Sequence, residues 1–465
     1  MSERSGRALT DAGALALAMA AAAGAWWSRP LALVPCVGTV LIALLMRRSG
    51  LLIVGVFVLA SAFGARSWSG VDPPMPERYS GTATVVSDPT RRGPVVHAVI
   101  EVRHRRLDVW AAGSPGRRLE LRSAGEALWV EGTIRASSAG RARSLAVRHI
   151  AGVFELERVV DWGTGSRLTR STNRVRALLL HGARVLEPVD RSLYLGLVIG
   201  DDRHQPTSLV HDFRASGLGH LSAVSGQNVV FLLAVTAPVL RRCRPVPRWM
   251  LTMAVLAWFA ALTRFEPSVL RATVMAGIAA TAFALGRRAS SVRLLALTVT
   301  ALLLVDPLLV HSVGFWMSVS ATLGIVLWSP ALAGAVPGPR WLVLPMAVSL
   351  SAQVGVASVV WWVFGREALW ALPANVLAEP CAALVMTLGL PAGLVAGLVP
   401  DGLAVLLHAP TWVAVRGLRG IASVGASVDV AWLQPVGSLA GMGVVGWSLW
   451  RSRVGSPRDG ASAPG

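Results

Sequence analysis

RASGLGHLSAVSGQNVVFLL, residues Arg214 to Leu233, sets the polar side chains of His220, Ser225, Gln227 and Asn228 at the mouth of an otherwise apolar run long enough to cross a bilayer. Polar groups inside the hydrocarbon are expensive, and membrane segments that keep them put them to use. Gly217, Gly219 and Gly226 loosen a helix at the same place. Irregular backbone at membrane depth is tolerated only where it lines a cavity or is buried in protein. The stretch therefore reads as a broken helix beside a polar path.

Composition agrees. Mean hydropathy is +0.57, and charged residues make up only 15% of the 465, which lies outside the range of soluble domains. Ten or so apolar runs recur, and about 20 residues of helix cross the hydrocarbon core. The net charge of +19 is carried by arginine alone, since no lysine occurs. A basic polytopic membrane protein points to an anionic cargo. A P-loop needs a lysine to reach nucleotide phosphates, so an ATPase of that class is excluded. Cys36, Cys243 and Cys381 show no CxxC or Cys/His spacing and read as buried structural thiols. Asp201, Asp202, His204, His211 and Asp212 lie close together but match no metal-ligand spacing, and read as solvated or interfacial. Neither cofactor nor metal is expected.

Residues 1–65 hold three apolar segments. The first, ending near Trp26 and Trp27, is followed at once by Leu31–Met46 and Leu51–Ala65, so it reads as an uncleaved helix rather than a signal peptide. Arg47 and Arg48 place their loop in the cytoplasm by the positive-inside rule, and the chain then emerges outside near Arg66. Over residues 66–166 hydropathy falls. TATVVSD, VVHAVIEVRH, RLDVWAAG and ALWVEGTI alternate or cluster β-branched residues between turn residues, which predicts a small antiparallel β-barrel of OB-like type. From Arg66 to Arg184, twenty arginines face eleven acids. Arg91, Arg92, Arg103, Arg105, Arg106, Arg117 and Arg118 cluster near predicted strands or turns, with Trp110 and Trp129 as stacking surfaces. A basic groove with aromatics is how OB folds hold single strands; the plain alternative is a solvated arginine-rich surface.

A basic linker with interfacial helices occupies 167–211, a second membrane region 212–450 and a disordered tail 451–465. Arg241, Arg242, Arg244 and Arg248, then Arg287, Arg288 and Arg293, then Arg340, and finally Arg451 with Arg453 mark cytoplasmic loops. That topology brings the polar mouth to the same side as the β domain. Arg271 lies deep enough to need a partner, which Glu266 or the pair Asn375 and Glu379 supplies, or else it meets a passing phosphate. His220 and Ser225 offer a base and a nucleophile, but no third group or oxyanion element accompanies them.

Five strings in order resemble the ComEC-type competence proteins, which pass transforming DNA across the bacterial inner membrane. They are LYLGLVIGDD (Leu193 to Asp202), DFRASGLGHLSAVSGQNVV (Asp212 to Val230), PSVLRATVMAGI (Pro267 to Ile278), DPLLVHSVGFWMSVSATLGI (Asp306 to Ile325), and SAQ followed by LPANVLAEP (Ser351 to Pro380). The resemblance implies an inner-membrane channel for uptake of single-stranded transforming DNA, lined by His220, Ser225, Gly226, Gln227, Asn228, Arg271, Asn375 and Glu379. Many members continue into a carboxy-terminal metallo-β-lactamase-like domain thought to degrade the strand that is not imported. The 465 residues show no such domain and no HxHxDH motif, so the expectation is a transporter rather than an enzyme.

The implied partners are single-stranded DNA, the lipid bilayer, a DNA receptor, a separate nuclease, a cytoplasmic translocase or single-strand-binding protein, and further copies of the chain as a homo-oligomer. The expected fold is a polytopic α-helical membrane protein of the bacterial cytoplasmic membrane with an inserted extracytoplasmic small β-barrel (OB-like) domain. Two rival classes are an intramembrane hydrolase using Ser225 and His220, and a small-solute or lipid transporter. The second leaves the basic β domain unexplained, and the inverted repeats common among transporters are not evident.

Overall fold

The computed structural model describes residues 10–221, 224–287, 289–364 and 371–427. Arg288, Arg451, Arg453, the tail 451–465 and the last apolar run lie outside the described residues. The chain opens with α1 (Asp11–Trp27), α2 (Leu33–Leu45) and α3 (Ser49–Gly70). The sheet domain follows: β1 (Glu77–Val85), β2 (Thr90–Arg92), β3 (Val95–Val102), β4 (Arg105–Ala112), α4 (Gly113–Glu120), β5 (Ala127–Arg135), α5 (Ala139–Ala146) and β6 (Ile150–Gly163). The remainder is helical. It comprises α6 (Arg167–Gly182), α7 (Pro188–Ile199), α8 (Thr207–Ala215), α9 (Gln227–Leu240), α10 (Pro245–Leu262), α11 (Pro267–Ala284), α12 (Ser291–Val305), α13 (Val313–Ala335), α14 (Arg340–Phe364), α15 (Ala371–Ala396) and α16 (Asp401–Ser427).

Among the described residues, six helices are long and apolar enough to cross a membrane: residues 49–70, 245–262, 267–284, 313–335, 342–363 and 373–396. Three apolar helices are shorter, α2, α9 and α12. This is fewer than the ten or so runs read from hydropathy. Among the described residues α2, α9 and α12 are 13, 14 and 15 residues long, α9 because the chain before it is not helical, and the last apolar run lies outside the described residues. Small residues let some helices meet closely. A Cβ at Gly324 would come within 2.3 Å of Ser351 O, and one at Gly355 within 2.3 Å of Ser320 O. The α13/α14 contact is therefore one of backbone against backbone, the close packing that small residues permit in membranes.

The sheet has the order β1-β5-β6-β4-β3-β2, with β1 also pairing β3 at Thr84–Glu101 and Val85–Ile100. β4 and β6 run parallel, and every other pairing is antiparallel. Period-two alternation places Ala83, Val85, Leu128, Val130, Ile134 and Phe154 in its core. The expected β-rich insertion is thus present as a sheet domain with a core of its own. Two further cores serve the helices. One joins α6–α10 with α15 and α16, and the other joins α1 and α3 with α12 and α13. Cys36 is buried, whereas Cys243 and Cys381 are only half-buried, which corrects the expectation for those two thiols.

Candidate functional site

The break in the polar stretch has a local cause. Helix α8 stops at Ala215, Gly217 takes φ +76, one 3-10 turn follows at Gly219–Leu221, and α9 starts only at Gln227. A positive φ is cheap only for glycine. Four ties hold the restart in place. Asn228 Nδ2 donates to Leu197 O at 2.7 Å, satisfying a carbonyl that the end of α7 leaves without a helical partner. Ser225 Oγ donates to Asn228 Oδ1 at 3.2 Å, and Ser268 Oγ in the first turn of α11 donates to Val224 O at 2.9 Å. Gln227 Nε2 donates to Glu379 Oε1 on α15. Gly226 is packed so closely that a Cβ there would stand 3.1 Å from Ala272 Cβ.

Ser225, Gly226, Gln227, Asn228, Arg271 and Glu379 are thereby gathered where α9, α11 and α15 meet, with Asn375 one turn before Glu379. Their roles differ. Asn228 is buried and uses both ends of its amide to tie α7 to α9. The Ser225 hydroxyl is spent on Asn228, and among the described residues it makes no bond to His220. Arg271 forms no ion pair with Glu266 or Glu379 among the described residues, and its Nε is buried with no partner. Asn375 Oδ1 is buried and unpartnered as well. Beneath the cluster, Val198, Asn228, Leu232, Phe259 and Met386 line a cavity of about 30 Å3, room for roughly one water.

Three titratable groups lie in the chain segments around the break. His220, Asp202 and Glu266 are accessible to water yet crowded by protein. Desolvation lowers the His220 pKa below the usual imidazole value. The same desolvation raises Glu266, helped by Asp202 and opposed by Arg148 and Arg271. Asp202 is raised by desolvation and by its neighbour Asp201.

Sequence reasoning missed the buried ionic knot beside these groups. Asp88, in the turn after β1, accepts from Arg176 Nη2 at 3.0 Å, from Arg264 Nε and Nη2 at 3.1 Å each, and from the Ala124 amide at 2.8 Å. Arg176 also donates to Ile199 O and Leu262 O, at the ends of α7 and α10. Asp201 completes the knot through Arg203 at 2.7 Å and Arg176 at 3.4 Å. Desolvation works to raise the Asp88 pKa, but Arg176, Arg264 and Arg203 outweigh it and hold it at about 2. Arg264 and Phe265 both adopt positive φ, a conformation that side chains with a Cβ resist. The bidentate grip of Asp88 and a 2.7 Å bond to Asn173 Oδ1 hold Arg264 in it. The reading of Asp201 as solvated is corrected, since its carboxylate is buried and fully engaged. Asp202, His211 and Asp212 remain open or half-open.

The arginines of the sheet domain do not form one patch. Arg103, Arg105 and Arg106 sit at the β3–β4 turn, whereas Arg91, Arg92, Arg117 and Arg118 sit at the other end of that ribbon. Seven residue steps at about 3.4 Å separate the ends by roughly 24 Å. Arg91 is engaged by Glu120 at 2.6 Å, Arg103 by Glu77 at 3.1 Å, and Arg118 donates to Val159 O. Arg105, Arg106 and Arg117 are exposed without an ion pair among the described residues. Trp110 donates to buried Asp108, stacks on His97 with centroids 4.4 Å apart, and carries Arg92 at 5.9 Å from its ring. Trp129 and Trp162 expose about half of their surface, at 44% and 52%.

Fold and site together define a multi-helix membrane protein in which a basic sheet domain is bound ionically over a broken helix and its polar cluster. The chain matches the family described as "Competence protein" over residues 197–454, more than half of its length, and it belongs to that family. It is 25% identical over 202 residues to the ComE operon protein 3 of Bacillus subtilis (strain 168), covering 42% of this chain and 25% of that protein. It is 28% identical over 206 residues to the uncharacterized protein YcaI of Escherichia coli (strain K12), covering 41% of this chain and 27% of that protein. The matched stretch spans about a quarter of the length of these curated relatives. No solved structure matches the chain significantly.

Proposed function

We propose that the protein carries single-stranded DNA across the bacterial cytoplasmic membrane during competence, with the sheet domain on the outer side and the strand passing beside the break before α9. Membership of the competence family supports the DNA connection. The observation that carries the path is Arg271. A guanidinium on a membrane helix with a buried, unpartnered nitrogen is costly unless something completes it. A phosphate of a passing strand does so with a charge-assisted bond, and the Gln227–Glu379 pair opposite keeps the path from holding the anion too tightly.

The sheet reads as an OB-like barrel. The short β1–β3 pairing beside the order β1-β5-β6-β4-β3-β2, the one parallel pair and the helix between β4 and β5 support that reading. Exposed Arg105, Arg106 and Arg117, with Trp129, are its free cationic and stacking groups, while the Trp162 ring already carries the Arg122 guanidinium at 4.1 Å. Arg91, Arg103 and Arg118 are already committed, so their share of DNA contact is smaller. The cavity under the cluster holds about one water, so the helices around the cluster, α9, α11 and α15, must part for a strand to enter. The protein acts as a transporter rather than an enzyme. A receptor, a strand-degrading nuclease and a cytoplasmic translocase or single-strand-binding protein act around it, with further copies of the chain alongside.

The test is a comparison of Arg271→Gln with Arg271→Lys in a transformable host. Loss of cytoplasmic DNA in the first and partial uptake in the second, at equal membrane abundance and equal surface-bound DNA, supports the path. Normal uptake by Arg271→Gln removes Arg271 from it.

A further inference from the structure

Where α9 gives way to α10, and against the last turns of α11, the helices leave a cavity of about 200 Å3. Leu233, Ala237, Leu240 and Phe283 make its apolar wall, and Arg241, Arg248 and Trp249 stand around it. Each polar group is held in position. The Arg248 guanidinium lies 4.7 Å from the Phe283 ring centroid, Arg241 Nε donates to Ala237 O at 3.4 Å, and Trp249 Nε1 donates to Thr281 Oγ1 at 3.0 Å. No acid occurs between Asp212 and Glu266, or between Glu266 and Asp306. Nothing on α9, α10 or α11 therefore neutralises these arginines, and among the described residues neither forms an ion pair.

We propose that this groove is a binding site for one anionic glycerophospholipid, with its phosphate on Arg241 and Arg248 and an acyl chain along Leu233, Leu240 and Phe283. The two halves of the groove call for the two halves of that molecule. Guanidinium groups match phosphate oxygens bidentately, and basic pockets between membrane helices hold anionic headgroups. An apolar wall is stabilised by hydrocarbon, which a free phosphate or a nucleic-acid strand does not bring. Trp249 has the amphipathic ring that settles at headgroup level. The site is separate from the polar cluster, so it stands whether or not DNA passes there.

The experiment is native mass spectrometry of the full-length protein, released from nonionic detergent with equal amounts of phosphatidylglycerol and phosphatidylcholine. The expected result is one retained phosphatidylglycerol. Arg248→Gln and Arg241→Gln should each lower its retention by roughly fivefold, the effect of one basic residue near an anionic surface. Arg248→Lys should keep most of it, and Arg242→Gln, in the same loop but outside the groove, should keep all of it. Equal retention of the two lipids overturns the site. So does an Arg242→Gln loss as large as that of Arg248→Gln, which would reduce the effect to general surface charge. Displacement of the lipid by millimolar inorganic phosphate, or closure of the groove by a second copy of the chain, also overturns it.

Discussion

Asp88→Asn isolates the ionic knot, because asparagine keeps the shape of the side chain and an acceptor for the Ala124 amide while removing the charge. Arg176 is only 4% exposed and Asp88 11%, so the substitution strands a guanidinium away from water. Two routes give its size. The fall of the Asp88 pKa from 3.8 to about 2 corresponds to about 2 kcal/mol at 1.36 kcal/mol per unit. Breaking one side of a buried pair costs about 3 to 5 kcal/mol, and the lower end applies because Arg176 keeps Asp201, Ile199 O and Leu262 O and Arg264 keeps Asn173 Oδ1. Hydrogen exchange of the purified full-length protein should then speed up by two to three orders of magnitude around residues 86–90, 122–126 and 262–266, where the sheet domain meets α6 and α10. The sign with pH follows. A depressed carboxylate pKa gives stability that is fully present above about pH 4 and lost as pH falls toward about 2, so docking is constant from pH 5 to 8. Unchanged exchange at those segments in Asp88→Asn would refute the knot as the docking element.

Ser225→Ala removes one hydroxyl bonded within its own turn and should retain uptake. Gly226→Leu drives a side chain into Ala272, where even a Cβ stands at 3.1 Å, and should abolish uptake while surface-bound DNA persists; equal loss in both at equal abundance reopens the hydrolase reading. Filter-binding assays on the whole protein should show affinity for single-stranded DNA falling with salt by about 0.7 log units per log unit for each phosphate neutralised. Replacing Arg105, Arg106 and Arg117 should flatten that slope more than replacing the engaged Arg91, Arg103 and Arg118, and the opposite order contradicts the assignment. Glu266→Gln should stabilise the protein toward thermal unfolding at pH 8, where the wild-type carboxyl with its raised pKa is ionised, and change little at pH 4; the reverse pH trend would show that Glu266 is not destabilised in its charged form.

The sheet domain was legible because period-two alternation survives in single strands, as in the Ala83 and Val85 run of β1 and the Leu128, Val130 and Ile134 run of β5. The break before α9 was legible too, since Gly217 supplies the turn that ends α8. The knot was not. Its members, Asp88, Arg176, Asp201, Arg203 and Arg264, are scattered along the chain, and Arg176 sits among Arg170 and Arg174 on a helix that reads as a solvated basic linker. What singles it out is burial against α7 and α10, which no local pattern encodes. A faint signal existed in IGDDR, where Gly200 caps α7 and turns Asp201 inward while Asp202 faces solvent. The arginines near the strands divide for a related reason: they lie at opposite ends of a ribbon, and two of the seven are answered by acids far away in sequence, Arg91 by Glu120 on α4 and Arg103 by Glu77 on β1.

The most direct measurement of DNA passage is the appearance of labelled single-stranded DNA in the cytoplasm of a host deleted for this gene and then complemented with it. Conduction by this chain predicts that deletion leaves DNA bound at the surface and absent inside, that the wild-type gene restores entry, and that Arg271→Gln does not. Cytoplasmic DNA at wild-type levels in the deleted strain would contradict it.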